Sequence, residues 1–152
     1  MKFYVAYGSN LNLKHMSTCC PNAKVFGTST LQDYELLFRA RKLDENSYLT
    51  IEKKSGANVP VAIWQVNEAD ELALDDYEDY PDLYYKKELR LDVLTETSEI
   101  RNLDCFVYIM YEDKPVTLPS DDYLELCLEG YRSFNFDEAK IDEALKRCKQ
   151  SL

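Results

Sequence analysis

The sequence predicts an α+β fold: a small mixed β-barrel or curved sheet with flanking helices. Two observations lead there. Strand-like segments fill most of the first 110 positions with one helical stretch among them, and two further helical stretches close the chain. At 152 residues, with no Pro/Gly/Ser-rich linker, internal repeat or low-complexity tract, residues 1–152 read as one domain able to bury a real core. The hydrophobic share of 45% excludes a disordered chain.

Each element has a local reason. "KFYVAY" is an apolar strand that ends abruptly in Gly8-Ser9-Asn10, and a short helix through "NLKHMS" must stop before Pro21. "AKVFGTST", "DYELLFRA" and "SYLTIEKK" read as strands, and a Ser-Gly-Ala-Asn turn at 55–58 leads into the β-branched "VPVAIWQV". "NEADELALDDYE" predicts a helix capped by Asn67, with acids in its first turn and an end near Tyr80-Pro81. "YYKKELRLDVL" alternates, with Leu89, Leu91 and Val93 on one face and Arg90 and Asp92 on the other; "DCFVYIMY" is a more deeply buried strand. "PSDDYLELCLEG" predicts a helix started by Pro119-Ser120 and stopped by Gly130. In "DEAKIDEALKRCK", Ile141, Ala144, Leu145 and Cys148 form one apolar helical face.

Composition excludes several function classes. The formal charge of −10 repels a phosphate backbone, so no nucleic-acid partner is expected. Apolar runs such as "CFVYIMY" are too short to cross a membrane as a helix, and the N-terminal residues lack the basic region, apolar core and cleavage site of a leader. No membrane partner and a cytoplasmic location are therefore expected. The five cysteines are odd in number and lack a CxxC, so free structural thiols are expected. With one histidine, His15, a multi-histidine metal site is excluded, and neither a Walker loop nor GxGxxG occurs. What remains for chemistry is carboxylates, tyrosines, lysines and backbone donors.

Three stretches could carry that chemistry. Gly8-Ser9-Asn10, between a strand and a helix start, is either a plain connecting turn or a set of N–H groups aimed at an anion. "LALDDYEDYPDLYYKKEL" crowds Asp75, Asp76, Glu78, Asp79 and Asp82 among Tyr77, Tyr80, Tyr84 and Tyr85. Carboxylates oppose the dipole at a helix C-terminus, so this is either a solvated acidic end or a place where one carboxyl turns inward and its pKa rises. "PSDDYLELCLEGYRSF" carries Tyr123 one turn into a helix, as packing or as part of a site.

Taken in order, "YVAYGSNLN", "VAIWQV" leading to "LDDYEDYPDLYY", and "PSDDYLELCLEGYR" resemble the γ-glutamylcyclotransferase-like family, from residue 3 to about residue 145. The resemblance implies a γ-glutamylcyclotransferase-like barrel and a small-molecule γ-glutamyl substrate whose own α-amino group attacks the γ-carbonyl. The products are 5-oxoproline and a free amine, with no metal and no organic cofactor. It implies Glu78 as general acid/base, the loop Tyr7-Gly8-Ser9-Asn10-Leu11 as the γ-glutamyl binding segment, and Tyr85 and Tyr123 as further substrate contacts. One position departs from the pattern: many relatives have Gly directly after the acid, where this chain has Asp79. Two alternatives stay open, a γ-glutamyl hydrolase or transferase on the same fold, and a non-catalytic small-molecule-binding relative. A homodimer is left open as well.

The chemistry sets a requirement on Glu78. An α-ammonium has a pKa of about 8 and an ordinary Glu about 4.3, a mismatch that makes direct proton transfer cost about 5 kcal/mol. Burial and like-charged neighbours, here Asp75, Asp76 and Asp79, are expected to narrow that gap.

Overall fold

The computed structural model describes residues 1–152. Its strands are β1 (Lys2–Ala6), β2 (Lys24–Arg39), β3 (Tyr48–Val66), β4 (Tyr84–Thr95) and β5 (Ile100–Met110). The helices are α1 (Leu13–Cys19), α2 (Glu68–Tyr77), α3 (Asp121–Ser133) and α4 (Ala139–Gln150), and a 3-10 turn spans Ser9–Leu11. The strands close into a barrel in the order β1-β3-β2-β4-β5. All pairings are antiparallel except β1 with β5, which run parallel at Tyr4 and Phe106. The barrel with flanking helices expected from the element order is what forms. No helix is long and apolar enough to cross a membrane.

β-branched residues build the core as the pattern requires: Val5, Ile51, Val59, Val61, Ile63, Val93 and Val107 are fully buried. β2 and β4 meet only at Gly27–Thr95 and Thr28–Leu94, and a side chain at Gly27 would collide with the Leu94 carbonyl. Glycine there permits the close approach that closes the barrel. On α4, Ile141, Ala144 and Cys148 are buried, while Arg147 reaches β2 and donates to the Leu36 carbonyl at 2.7 Å. All five cysteines are free thiols.

Three expectations are corrected. The two strands expected in residues 24–39 are one continuous β2, and the two on either side of the 55–58 turn are one continuous β3. The register jumps between Gln32–Asn58 and Tyr34–Lys53, so Asp33 faces an outward excursion of residues 54–57. Asp33 (φ 64°) and Gly56 (φ 82°) take left-handed conformations there, and the Gly56 N–H donates to Asp33 Oδ1 at 2.9 Å. The turn residues thus fold outward within a single long hairpin. Gly130 does not stop α3, which continues to Ser133; a Cβ on Gly130 would lie 2.7 Å from Leu11 C and Asn12 N. Glycine is needed because α3 crosses the loop backbone at that point.

Candidate functional site

A cavity of about 290 Å³ opens where the end of β1, the C-terminus of α2 and the start of α3 meet. Its lining is largely aromatic, with Tyr4, Tyr7, Tyr84, Tyr108 and Tyr123 among the side chains. Glu78 reaches it from the end of α2, and Gly8, Ser9 and Asn10 come from the 3-10 turn and the residue before it.

The placement of Glu78 follows from the two ends of α2. Asn67 and Asp70 form a reciprocal capping box, with Asp70 N–H to Asn67 Oδ1 at 2.8 Å and Asn67 N–H to Asp70 Oδ2 at 3.0 Å. At the other end Glu78 is the C-cap, Asp79 N–H donates to the Asp76 carbonyl at 3.2 Å, and Tyr80 N–H to the Asp75 carbonyl at 2.9 Å. These are the two bonds of a Schellman motif, in which the residue after the cap is left-handed. Asp79 fills that position at φ 52°. Glycine is the residue such a cap position favours in general, and Asp, with its short polar side chain, enters this region more readily than most. The Asp79 carboxylate pairs with Arg41 from the β2–β3 connection.

The Glu78 carboxyl accepts no hydrogen bond and pairs with no cation, although the residue is only partly exposed. Burial pushes its pKa up to about 8, with repulsion from Cys19 in its ionised, thiolate form a second cause. The expected crowding by Asp75, Asp76 and Asp79 is not what raises it. Asp75 is bound by Lys86 Nζ at 2.7 Å and by the Tyr108 hydroxyl at 2.6 Å, and Asp79 is held by Arg41. The tyrosines around Glu78 stay neutral: burial raises Tyr4, Tyr7 and Tyr84 well above the usual phenol range, and the Glu78 charge adds to it.

Packing fixes the loop from several sides. Trp64 Nε1 donates to the Asn10 carbonyl at 3.1 Å, and Asn10 Nδ2 donates to the Tyr4 hydroxyl at 2.9 Å. Ser9 Oγ lies 3.0 Å from the Tyr77 hydroxyl, which also meets His15 Nε2 at 2.9 Å. Asn12 caps α1 and donates to α3 through the Leu126 carbonyl at 3.1 Å and Glu129 at 3.0 Å. Tyr123 Oη accepts from Leu49 N–H at 3.0 Å and so joins α3 to β3 beside the cavity. The amide oxygen of Asn10 is buried with no partner.

Of the residues expected in a site, Tyr7, Gly8, Ser9, Asn10, Glu78 and Tyr123 come together on this one cavity. Leu11 does not line it; its side chain is fully buried in the core. Tyr85 does not line it either. Successive strand residues point to opposite faces, so Tyr84 takes the cavity side, its hydroxyl donating to the Leu49 carbonyl at 3.0 Å, and Tyr85 points away to Glu112 at 2.6 Å. Tyr4, Arg41, Tyr48, Leu49, Leu83, Tyr84 and Tyr108 also line the cavity; none of them was expected as a site residue, although Tyr4, Leu83 and Tyr84 lie within the motifs that mark the family. Strand parity could have found Tyr84, but no local pattern marks Arg41 or Tyr108, which long-range pairing brings in.

The sequence matches the family described as Gamma-glutamyl cyclotransferase, AIG2-like over residues 4–125. No curated protein matches it. Among solved structures, an uncharacterized protein from Homo sapiens aligns with a TM-score of 0.76 at 23% identity, covering 99% of this chain and 88% of that one. A structure named gamma-glutamyl cyclotransferase aligns with a TM-score of 0.73 at 24% identity, again covering 99% of this chain and 88% of that one. An AIG2-like protein from Mus musculus aligns with a TM-score of 0.53 at 25% identity over 82% of each chain. The structural likenesses establish the fold, and the match over residues 4–125 carries the family assignment. This chain belongs to the gamma-glutamyl cyclotransferase, AIG2-like family.

Proposed function

We propose that the protein is a γ-glutamylcyclotransferase, converting a γ-glutamyl amino acid, peptide or amine into 5-oxoproline and the free amine. The observation that carries this reading is an unpaired carboxyl, Glu78, raised by burial to about 8 in a small cavity of neutral phenols. An α-ammonium also has a pKa of about 8, so the cost of proton transfer falls from about 5 kcal/mol to near zero.

The reaction balances when one carboxyl relays two protons in turn from the attacking nitrogen to the leaving one. Glu78 takes a proton from the substrate α-ammonium, and the freed nitrogen attacks the γ-carbonyl carbon, closing a five-membered ring. The carbonyl oxygen becomes an oxyanion. Its collapse breaks the bond to the leaving nitrogen, which receives the proton back from Glu78. The ionised Glu78 then takes the second proton from the ring nitrogen and passes it to the released amine, giving a neutral lactam and an ammonium. No protein nucleophile is needed, because tethered nucleophiles reach effective molarities of roughly 10⁵–10⁸ M. The loop supplies the complement: the backbone N–H groups of Gly8, Ser9 and Asn10 suit the glutamyl carboxylate or the developing oxyanion. A volume of about 290 Å³ lies at the small end of ligand sites and suits a metabolite of this size.

Incubation with γ-glutamyl-alanine and a γ-glutamyl amine, assayed for 5-oxoproline, tests the proposal. Free glutamate in place of the cyclic product would assign hydrolysis, and binding without turnover would assign a non-catalytic role.

A further inference from the structure

We infer that Arg41 is a specificity residue of this site, selecting γ-glutamyl compounds whose leaving amine carries its own carboxylate. The inference rests on the proposed function and extends it to a residue outside the motifs that mark the family. Arg41 is the sole cation among the side chains that line the cavity. It also lines a more open hollow of about 460 Å³ next to it, which shares Tyr48 and Leu83 with the cavity and is otherwise walled by Asp44, Glu45 and Asn46. Glu78 and the Gly8-Ser9-Asn10 loop line the inner cavity and not this outer hollow. A substrate with its glutamyl end inside therefore extends its leaving group past Arg41.

The guanidinium has capacity to spare at that point. It uses one nitrogen, Nη2, for Asp79 and makes no other hydrogen bond. A guanidinium presents five N–H donors in a planar fork that matches a carboxylate, so its remaining edge can receive one while Asp79 holds the other. Asp79 then acts as an orienting partner, tying Arg41 to the helix end that carries Glu78. Asp44 and Glu45 make the rest of the hollow hostile to anions, so a leaving-group carboxylate is accommodated only at the guanidinium.

The test compares two substrates in wild type and Arg41→Gln: γ-glutamyl-alanine, and γ-glutamyl-ethylamide, which lacks the second carboxylate. The expected result is a fall of about tenfold in the ratio of their kcat/KM values, the size of a lost charge-assisted contact. Arg41→Lys should restore part of the ratio, and thermal melting should show both variants folded. An equal loss with both substrates would place Arg41 on the glutamyl carboxylate, which both contain, and overturn the inference. So would an unchanged ratio, or one that rises because the acidic wall prefers a cationic leaving group. Absence of 5-oxoproline from both substrates in wild type would instead reject the proposed function.

Discussion

The two ends of α2 carry the same kind of side chain to opposite effect. In its first turn, Asp70 is locked into the capping box, and Glu71 lies 2.8 Å from Lys2 and 2.7 Å from Lys86. Burial pushes the Glu71 carboxyl up, but hydrogen bonds and charge from Lys2 and Lys86 outweigh it and hold the carboxyl below its usual range. At the far end Glu78 has no partner, and burial, with a second push from Cys19, raises it to about 8. Partnered carboxylates hold the helix in place. The unpartnered one is left free to exchange a proton.

Removing the unpartnered carboxyl is the sharpest way to break this contrast. Glu78→Gln should lower kcat for 5-oxoproline release by about 10²–10⁴-fold while the variant still folds. Near-wild-type turnover would end the general acid/base role. The same group sets the pH response. In wild type, kcat/KM should rise about tenfold per unit below pH 7 and peak near pH 8, because the substrate ammonium and the ionised carboxyl must coexist. A flat profile between pH 6 and 8 would contradict the raised Glu78. Stability carries the matching sign. A carboxyl whose folded pKa lies above its unfolded one loses its contribution as pH rises from about 4.3 through about 8. Glu78→Gln should therefore gain stability over wild type across that window, by about 2 kcal/mol or more above pH 8, as measured by denaturant unfolding.

Smaller effects are expected where capping or surface pairing alone is at stake. Asp70→Ala removes one half of the capping box at the partnered end and should cost about 1 kcal/mol of stability, leaving the pH profile of the activity in place. Tyr85→Phe should change kcat/KM least, by less than about twofold, because its hydroxyl meets Glu112 on the far side of the strand. A large loss in that variant would show that Tyr85 reaches substrate after all.

Much of this was legible in the chain where the signal is local. The Asn67 cap, the α2 stop near Tyr80 and the α4 apolar face at Ile141, Ala144 and Cys148 all follow from neighbours a few residues apart. Glycine misled at Gly130, because a helix-stopping residue and a close-packing residue look the same in sequence. At 55–58 the turn chemistry was right and its consequence was not. Register with the distant Asp33 turned those residues into an outward excursion within one hairpin.

By itself the sequence determined that carboxylates would crowd a helix C-terminus, and that a strand–turn–helix loop would follow β1, because capping and turn chemistry act over one or two turns. Tertiary structure decided which carboxyl would be buried without a partner. Lys2, Lys86 and Arg41 come from β1, β4 and the β2–β3 connection, and each reaches the α2 region only once the barrel has closed. It also decided that Tyr84, not Tyr85, takes the side of the strand that lines the cavity with Glu78, since strand parity has no meaning until the strand is paired. The raised carboxyl exists because the fold buries Glu78 while long-range pairing reaches Asp75 and Asp79 and stops short of it; Asp76, also without a partner, stays exposed.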